Sequence, residues 1–283
     1  MSPTPTPRIV IVGNVSEDLT PEGAWIPGGP ALYSARAAVA LGADVTLVSR
    51  VPTEYDRSSF EGLKVVELPV ATCPRYENVY PKGGGRRQTL HQVGGPIAAE
   101  DMPSSLSADA VIAAPALDEL AEFPSVGAPL QFVSLQGMLR WAIPKRPVRR
   151  AAYAPSRARS IQPVGAISIF SDEDADDPTA LATALSLRGP TVVTLGNRGA
   201  CLYRKGSRSV IPAFPANVSD PTGAGDGFVA ALAVRLVETG DLLESCTFGN
   251  AMGSLMVERS GLGEMPSRED VFARSQGEVA HGS

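Results

Sequence analysis

Asp220, Pro221, Thr222, Gly223, Ala224, Gly225, Asp226 and Gly227 form the stretch of this chain best equipped for chemistry. Two glycines flank an alanine, so the backbone can turn sharply and aim several N–H groups at one point with almost no side chain in the way. The apolar residues 228–237 behind it, rich in Ala, Leu and Val, read as a buried helix. A small-residue turn that opens a helix is a ready anion site, because first-turn N–H groups lack intrahelical partners and the macrodipole adds partial positive charge. Yet the same turn carries an acid. A carboxylate at Asp226 is of little use for gripping phosphate. It can, however, take the proton of a hydroxyl while the neighbouring N–H groups hold charge that develops on a transferring phosphoryl group. The chemistry this suits is phosphorylation of an alcohol; the plainer alternative is that Asp226 caps the helix.

Residues 220–226 resemble the signature of the ribokinase family of carbohydrate kinases, also called the PfkB family, in which a Gly-Ala-Gly-Asp turn supplies an anion hole and a catalytic base. Other pieces follow in the family's order: Gly28-Gly29 ahead of an Ala-rich helix, Val193-Thr194-Leu195-Gly196-Asn197-Arg198-Gly199-Ala200, and Phe248-Gly249-Asn250-Ala251. The resemblance implies an α/β fold: a ribokinase-like, three-layer, doubly wound, mostly parallel sheet with a small β-sheet lid. It also implies one kinase domain over residues 1–283, with lid hairpins inserted at about 14–29 and 73–95.

Bulk properties agree. A chain of 283 residues with 43% hydrophobic content can bury a sizeable core. A net charge of -5 and the lack of a basic stripe argue against nucleic acid or an anionic membrane as partner. The three cysteines lie far apart with no Cys-x-x-Cys spacing, which indicates neither a disulfide framework nor a zinc site and fits a reducing, cytoplasmic setting. Residues 1–7 are rich in Pro and Thr, and no run of about 18 apolar residues exists, so secretion and membrane spanning are not expected.

The elements that must position the turn can be followed along the chain. The β-branched residues 8–12 read as a first, buried parallel strand. A polar stretch to Pro27 follows, read as a hairpin that leaves the main sheet. Asp18 lies there, a solvated loop acid on its own terms; the resemblance implies that it binds substrate hydroxyls, with Asn14 as companion. Gly28 and Gly29 permit close approach of substrate and a hinge. Many family members carry Asn four positions after the second glycine, whereas this chain has Tyr33, either a substrate-facing phenol or ordinary core. Residues 44–51, 63–70, 109–114, 130–135, 164–170 and 191–195 read as further strands alternating with helices. Alternating residues on both sides of the glycines 83–85 predict a second hairpin, which with the first makes a water-excluding lid. Arg86, Arg87 and His91 are substrate or phosphate candidates on it. Residues 140–159, basic and Pro-containing, read as solvated helix and loop. Beyond Met265 the chain turns polar, and the tail from Gln276 is read as frayed.

The resemblance also implies ATP and magnesium as cofactors. Thr194, Gly196 and Gly199 would neighbour the nucleotide phosphates and ribose, residues 209–214 and Asn250 the adenine, and Thr222 the donor. Where the family has Asn-x-x-Glu to organise magnesium, this chain has Ser171 with Asp174, or Glu173 as an alternative; acids opening a helix also simply complement its dipole. Asp220 and Thr222, with the turn at 260–263, would surround a monovalent cation such as K+. The run Gln136-Gly137-Met138-Leu139-Arg140, placed after a strand end, resembles the inositol-kinase-like branch and implicates Arg140 in substrate binding. The favoured acceptor is a small sugar or cyclitol, myo-inositol above all. The alternatives are a nucleoside kinase or a catalytically silent nucleotide or sugar sensor of the same fold, and the lid could join two copies as a homodimer. The chain has neither a P-loop nor a protein-kinase catalytic loop, and its two histidines leave little material for a His-based hydrolase.

Overall fold

The structure is a computed structural model, and it describes residues 5–79, 87–151 and 160–277. The glycine turn at 83–85, Arg86 and the tail from residue 278 lie outside them.

The sequence Arg-Ile-Val-Ile-Val forms β1 (Arg8–Val12), whose residues Ile9 and Ile11 enter one apolar cluster and Val10 and Val12 the other. A strand apolar on both faces belongs in the middle of a covered sheet. It does lie there. The main sheet also holds β4 (Asp44–Pro52), β5 (Lys64–Val70), β8 (Ala110–Ala113), β9 (Leu130–Ser134), β13 (Ile167–Ser171), β14 (Thr191–Thr194), β15 (Ala200–Arg204) and β16 (Ser207–Ile211). Its order is β5-β4-β1-β8-β9-β13-β14-β15-β16, parallel as far as β14 and antiparallel over the last two strands.

One face is covered by helices α1 (Pro30–Ala40), α3 (Ala224–Thr239), α4 (Leu242–Met256) and α5 (Arg268–Ser275). The other face meets α2 (Pro178–Ser186) and loop residues such as Ile97, Leu120 and Val126. Residues 114–129 connect β8 to β9 without the helix that strict alternation predicts. Helix α5 was hidden by its polar composition, although Ser267 and Asp270 form a reciprocal capping box at its start.

The lid is a five-stranded sheet ordered β11-β7-β6-β2-β3, built from β2 (Ser16–Leu19), β3 (Trp25–Gly28), β6 (Arg75–Val79), β7 (Arg87–Gln92) and β11 (Arg146–Pro147). The two hairpins expected from sequence join through the parallel pair β2 and β6. The basic segment departs from expectation: β11 extends the lid edge, while β10 (Arg140–Trp141) pairs with β12 (Arg149–Arg150).

A buried acid that sequence reading passed over fixes the mouth of the sheet. Glu119 accepts hydrogen bonds from the backbone N–H of Asn14 at 2.8 Å, Ala116 at 2.8 Å and Leu117 at 2.7 Å. Burial pushes its pKa up, against the pull of those N–H groups. Glu119→Gln would turn an NH2 toward N–H donors, and leaving such buried groups unmatched costs about 1–3 kcal/mol. The expected result is a lowered denaturation midpoint in urea with an unchanged slope; equal midpoints would show that the acid contributes nothing to holding Asn14.

Candidate active site

The start of α1 is the joint between two groups of residues. Its N-cap, Gly29, has φ 102, a conformation that excludes most side chains, and a Cβ there would lie 2.9 Å from the Ser16 hydroxyl and 3.2 Å from the Asn14 carbonyl oxygen. A Cβ on Gly28 would lie 2.3 Å from Asp18 Oδ2. One turn further on, the Tyr33 ring lies against Gly223, and the Ser34 hydroxyl donates to the Asp226 carbonyl oxygen at 3.1 Å. The first turn of α1 thereby joins the group of Asn14, Asp18, Gly28 and Gly29 to the Gly223 to Asp226 turn.

Gly223 is the N-cap of α3 in the left-handed region, φ 79, so Ala224, Gly225 and Asp226 occupy the first helical turn. Their N–H groups fall in the set that a helix leaves without intrahelical acceptors. A Cβ at Gly225 would meet nothing within 4 Å, so the turn is open on that side. Tyr33 is 3% exposed with its ring on Gly223, so the ring forms the floor of the turn.

The surroundings of Asn14 and Asp18 are closely hydrogen-bonded. Asn14 is buried; its Nδ2 donates to the Gly95 carbonyl at 2.7 Å, and its Oδ1 has no hydrogen-bond partner among the described residues. Asp18 Oδ1 accepts from Asn78 Nδ2 at 2.9 Å, and Gln88 Nε2 donates to Asn78 Oδ1 at 2.9 Å. Asn78 and Gln88 were not among the sequence candidates. Cross-strand register makes them partners, and β-strand alternation places His91 on the other face of the lid, where it meets Glu77 and the Trp25 ring. Arg87, on β7, is exposed. A cavity of about 260 Å³ also opens beside Glu17, Tyr55, Cys73 and Arg75, but no proposed substrate residue lines it.

Arg140 reaches Gln88 Oε1 with Nη1 at 3.2 Å and Asp174 Oδ1 with Nη2 at 3.4 Å. Asp174, 6% exposed, also accepts the Ser171 N–H at 2.9 Å, whereas Glu173 is exposed. Thr194 pairs in register with Ser171 at neighbouring strand ends, and Gly196 and Gly199 form the tight turn that follows. A Cβ on Gly199 would lie 2.1 Å from the Ile211 carbonyl oxygen, and Asn250 Nδ2 donates to the carbonyls of Ile211 and Pro212. The amide thus ties α4 to residues 211–212. Asp220 Oδ1 accepts the Thr222 N–H at 2.9 Å and Oδ2 the Gly261 N–H at 3.4 Å, which closes the loop around the turn.

Residues 167–269, which contain β13, the turn, all of α3 and α4 and the first residues of α5, match the family model of the pfkB family carbohydrate kinases. Inositol 3-kinase from Arabidopsis thaliana is 43% identical over 70 residues, and ribokinase from Bacillus subtilis is 44% identical over 81 residues. These matches span 25% and 28% of this chain but only 20% and 27% of those relatives' own lengths. Solved structures are similar to this chain over far more of its length. A pyrophosphate-dependent kinase in the ribokinase family superposes with TM-score 0.74 at 18% identity, covering 94% of this chain and 99% of the other. The nucleoside kinase of Methanocaldococcus jannaschii gives TM-score 0.73 at 18% identity, covering 96% and 99%. The chain therefore has the ribokinase fold. None of its helices, among the described residues, is long and apolar enough to cross a membrane.

Proposed function

We propose that this protein transfers the terminal phosphoryl group of ATP to a hydroxyl of a small sugar or cyclitol. The observation that carries this reading is the joint at α1, where Gly28 and Gly29 abut Asp18 and Asn14 while Tyr33 and Ser34, one turn on, meet Gly223 and the Asp226 carbonyl. Asp18 and the orphaned, buried Oδ1 of Asn14 would receive substrate hydroxyls. Asp226 would take the proton from the attacking hydroxyl, while the N–H groups around Gly223, Ala224 and Gly225 hold the transferring phosphoryl group. The lid would exclude water. Gly28 and Gly29 would leave room for the acceptor.

On the donor side, Thr194, Gly196, Gly199 and Thr222 would flank the phosphates, with Asn250 holding the wall of the base site. Among the described residues no group of three or more His, Cys, Asp or Glu side chains is arranged to hold a metal ion. Magnesium would be carried on the donor's phosphates, which fits its habit of keeping water and taking one or two carboxylates. Asp174 is held by Ser171 and Arg140, so exposed Glu173 is the side chain able to turn toward that ion. When bound, the ion would neutralise phosphate charge. Asp220 and Thr222, beside Gly261, would flank a monovalent cation.

Myo-inositol is the favoured acceptor, supported by the run Gln136 to Arg140, the match to inositol 3-kinase, and a similar fold solved with myo-inositol bound. A nucleoside is the alternative, supported by the nucleoside kinase fold match. Arg274 bonds to the Pro215 carbonyl and to Glu258, Glu258 accepts the Asn217 N–H, and Asn250 holds residues 211–212, so the strip beside the base site is stapled to α4 and α5. Pyrophosphate is the second donor to consider, supported by the fold match to a pyrophosphate-dependent kinase.

The test is magnesium-dependent phosphoryl transfer with ATP or pyrophosphate against myo-inositol, ribose, fructose and adenosine. Turnover with one acceptor is expected, and donor consumption that no acceptor stimulates would overturn the kinase reading in favour of a sensor.

A further inference from the structure

A line of hydrogen bonds crosses from the lid to the body of the protein. It runs from Asp18 on β2 through Asn78 on β6 and Gln88 on β7 to Arg140 on β10, and ends on Asp174 after β13. The first three residues belong to the lid and the last two to the body. The contact of Gln88 with Arg140 is therefore the link across the junction.

The line has a direction. An arginine can only donate, so Gln88 must turn its oxygen to Arg140 and its NH2 to Asn78. Asn78 must then accept with Oδ1 and donate to Asp18, as the bonds of 2.9 Å and 2.9 Å record. Reversing either amide would set donors against donors at one end and oxygens against a carboxylate at the other. Each amide thus has one good orientation, fixed from Arg140 outward. The Arg140 and Asp174 side chains are only 14% and 6% exposed, so water is a poor substitute for a broken link.

The two ends lie beside different halves of the proposed reaction: Asp18 is among the proposed acceptor residues, and Asp174 adjoins Glu173, the side chain proposed to face the donor's magnesium. We propose that this relay couples acceptor occupancy at Asp18 to the setting of Asp174 at the donor end, with Asn78 and Gln88 as positioning residues. The inference rests on the kinase reading above. A hydroxyl bound by Asp18 competes for, or tightens, the Asn78 bond; Gln88 follows, and Arg140 redistributes its fork between Gln88 and Asp174. A ligand shifts such an element only by its difference in affinity for the two settings, and coupling between sites is typically 5- to 150-fold in binding.

The test measures binding of the non-hydrolysable analogue β,γ-imido-ATP, with magnesium, to the full chain by calorimetry, with and without the acceptor that wild type phosphorylates. Wild type is expected to bind the analogue at least ~5-fold more tightly, or more weakly, when the acceptor is present. Gln88→Leu keeps the volume and removes both links, so its ratio should fall to about 1 while the analogue still binds. Gln88→Glu keeps the bond to Arg140 but cannot donate to Asn78, and should lose the coupling too; it serves if the leucine variant does not fold. A wild-type ratio of about 1, or the wild-type ratio retained in both variants, would overturn the relay. Wild type that phosphorylates no acceptor would instead overturn the kinase reading, and the relay with it.

Discussion

Asp226→Asn is expected to lower turnover by at least ~100-fold while the protein still binds donor, because loss of general-base help typically costs 10²- to 10⁴-fold. The substitution is close to isosteric. Asp226 stands in the first turn of α3, and its backbone carbonyl accepts the Ser34 hydroxyl, a bond the variant keeps. The amide cannot take up the acceptor's proton. What the variant also loses is a negative charge at a helix N-terminus, worth about 0.3–1 kcal/mol, so its melting temperature should move little. Single-turnover measurement with saturating donor separates the two effects, since a folding defect would reduce the active fraction and leave the rate of the remainder unchanged. Turnover within a few-fold of wild type would remove Asp226 as the base and leave it as a cap.

The position of that aspartate could be read from sequence because every component is local: two glycines, an alanine and an acid ahead of an apolar run. The same holds for β1, whose five residues include four β-branched ones, and for Gly29 and Pro30 at the start of α1. The lid hairpins were legible through alternation. Their facing was not, because the pairing of β6 with β7 shifts at Arg75 and Tyr76, and such a bulge decides which side chains meet. Asn78 and Gln88 therefore reach Asp18 and Arg140 through a register that no spacing announces. Glu119 was hidden for a related reason. Its three N–H partners come from the end of β1 and from its own loop, where Asp118 takes a left-handed backbone, φ 53. In β11 two residues become strand only because β7 offers them an edge. What the sequence did carry unnoticed was the Ser267 and Asp270 pair that opens α5.

Tyr33 shows how a local departure becomes intelligible only in three dimensions, and it leads to a second large effect. Gly223→Ala should damage the protein through two separable terms. Its φ of 79 lies where an L-residue costs about 1–2 kcal/mol, and its new methyl would lie 2.3 Å from Tyr33 Cδ1, an overlap of the kind that costs about 1–3 kcal/mol. The sum, about 2–5 kcal/mol, is a large part of an ordinary domain's stability. The Tyr33 ring has no easy retreat, since it is 3% exposed. Gly225→Ala makes the contrast. That residue is helical, and its Cβ would meet nothing within 4 Å, so alanine should raise stability by about 0.5–1 kcal/mol through helix propensity. If the open side of the turn is where the phosphoryl group lies, the methyl should cut turnover even as the protein becomes more stable. The decisive measurement is the pair: urea denaturation and turnover on both variants, with Gly223→Ala repeated in a Tyr33→Ala background. The double variant should recover the overlap term relative to the sum of the singles and leave the backbone term in place. Additive losses would mean that ring and turn are independent, and a stable, fully active Gly225→Ala would place the transferring group somewhere other than this turn.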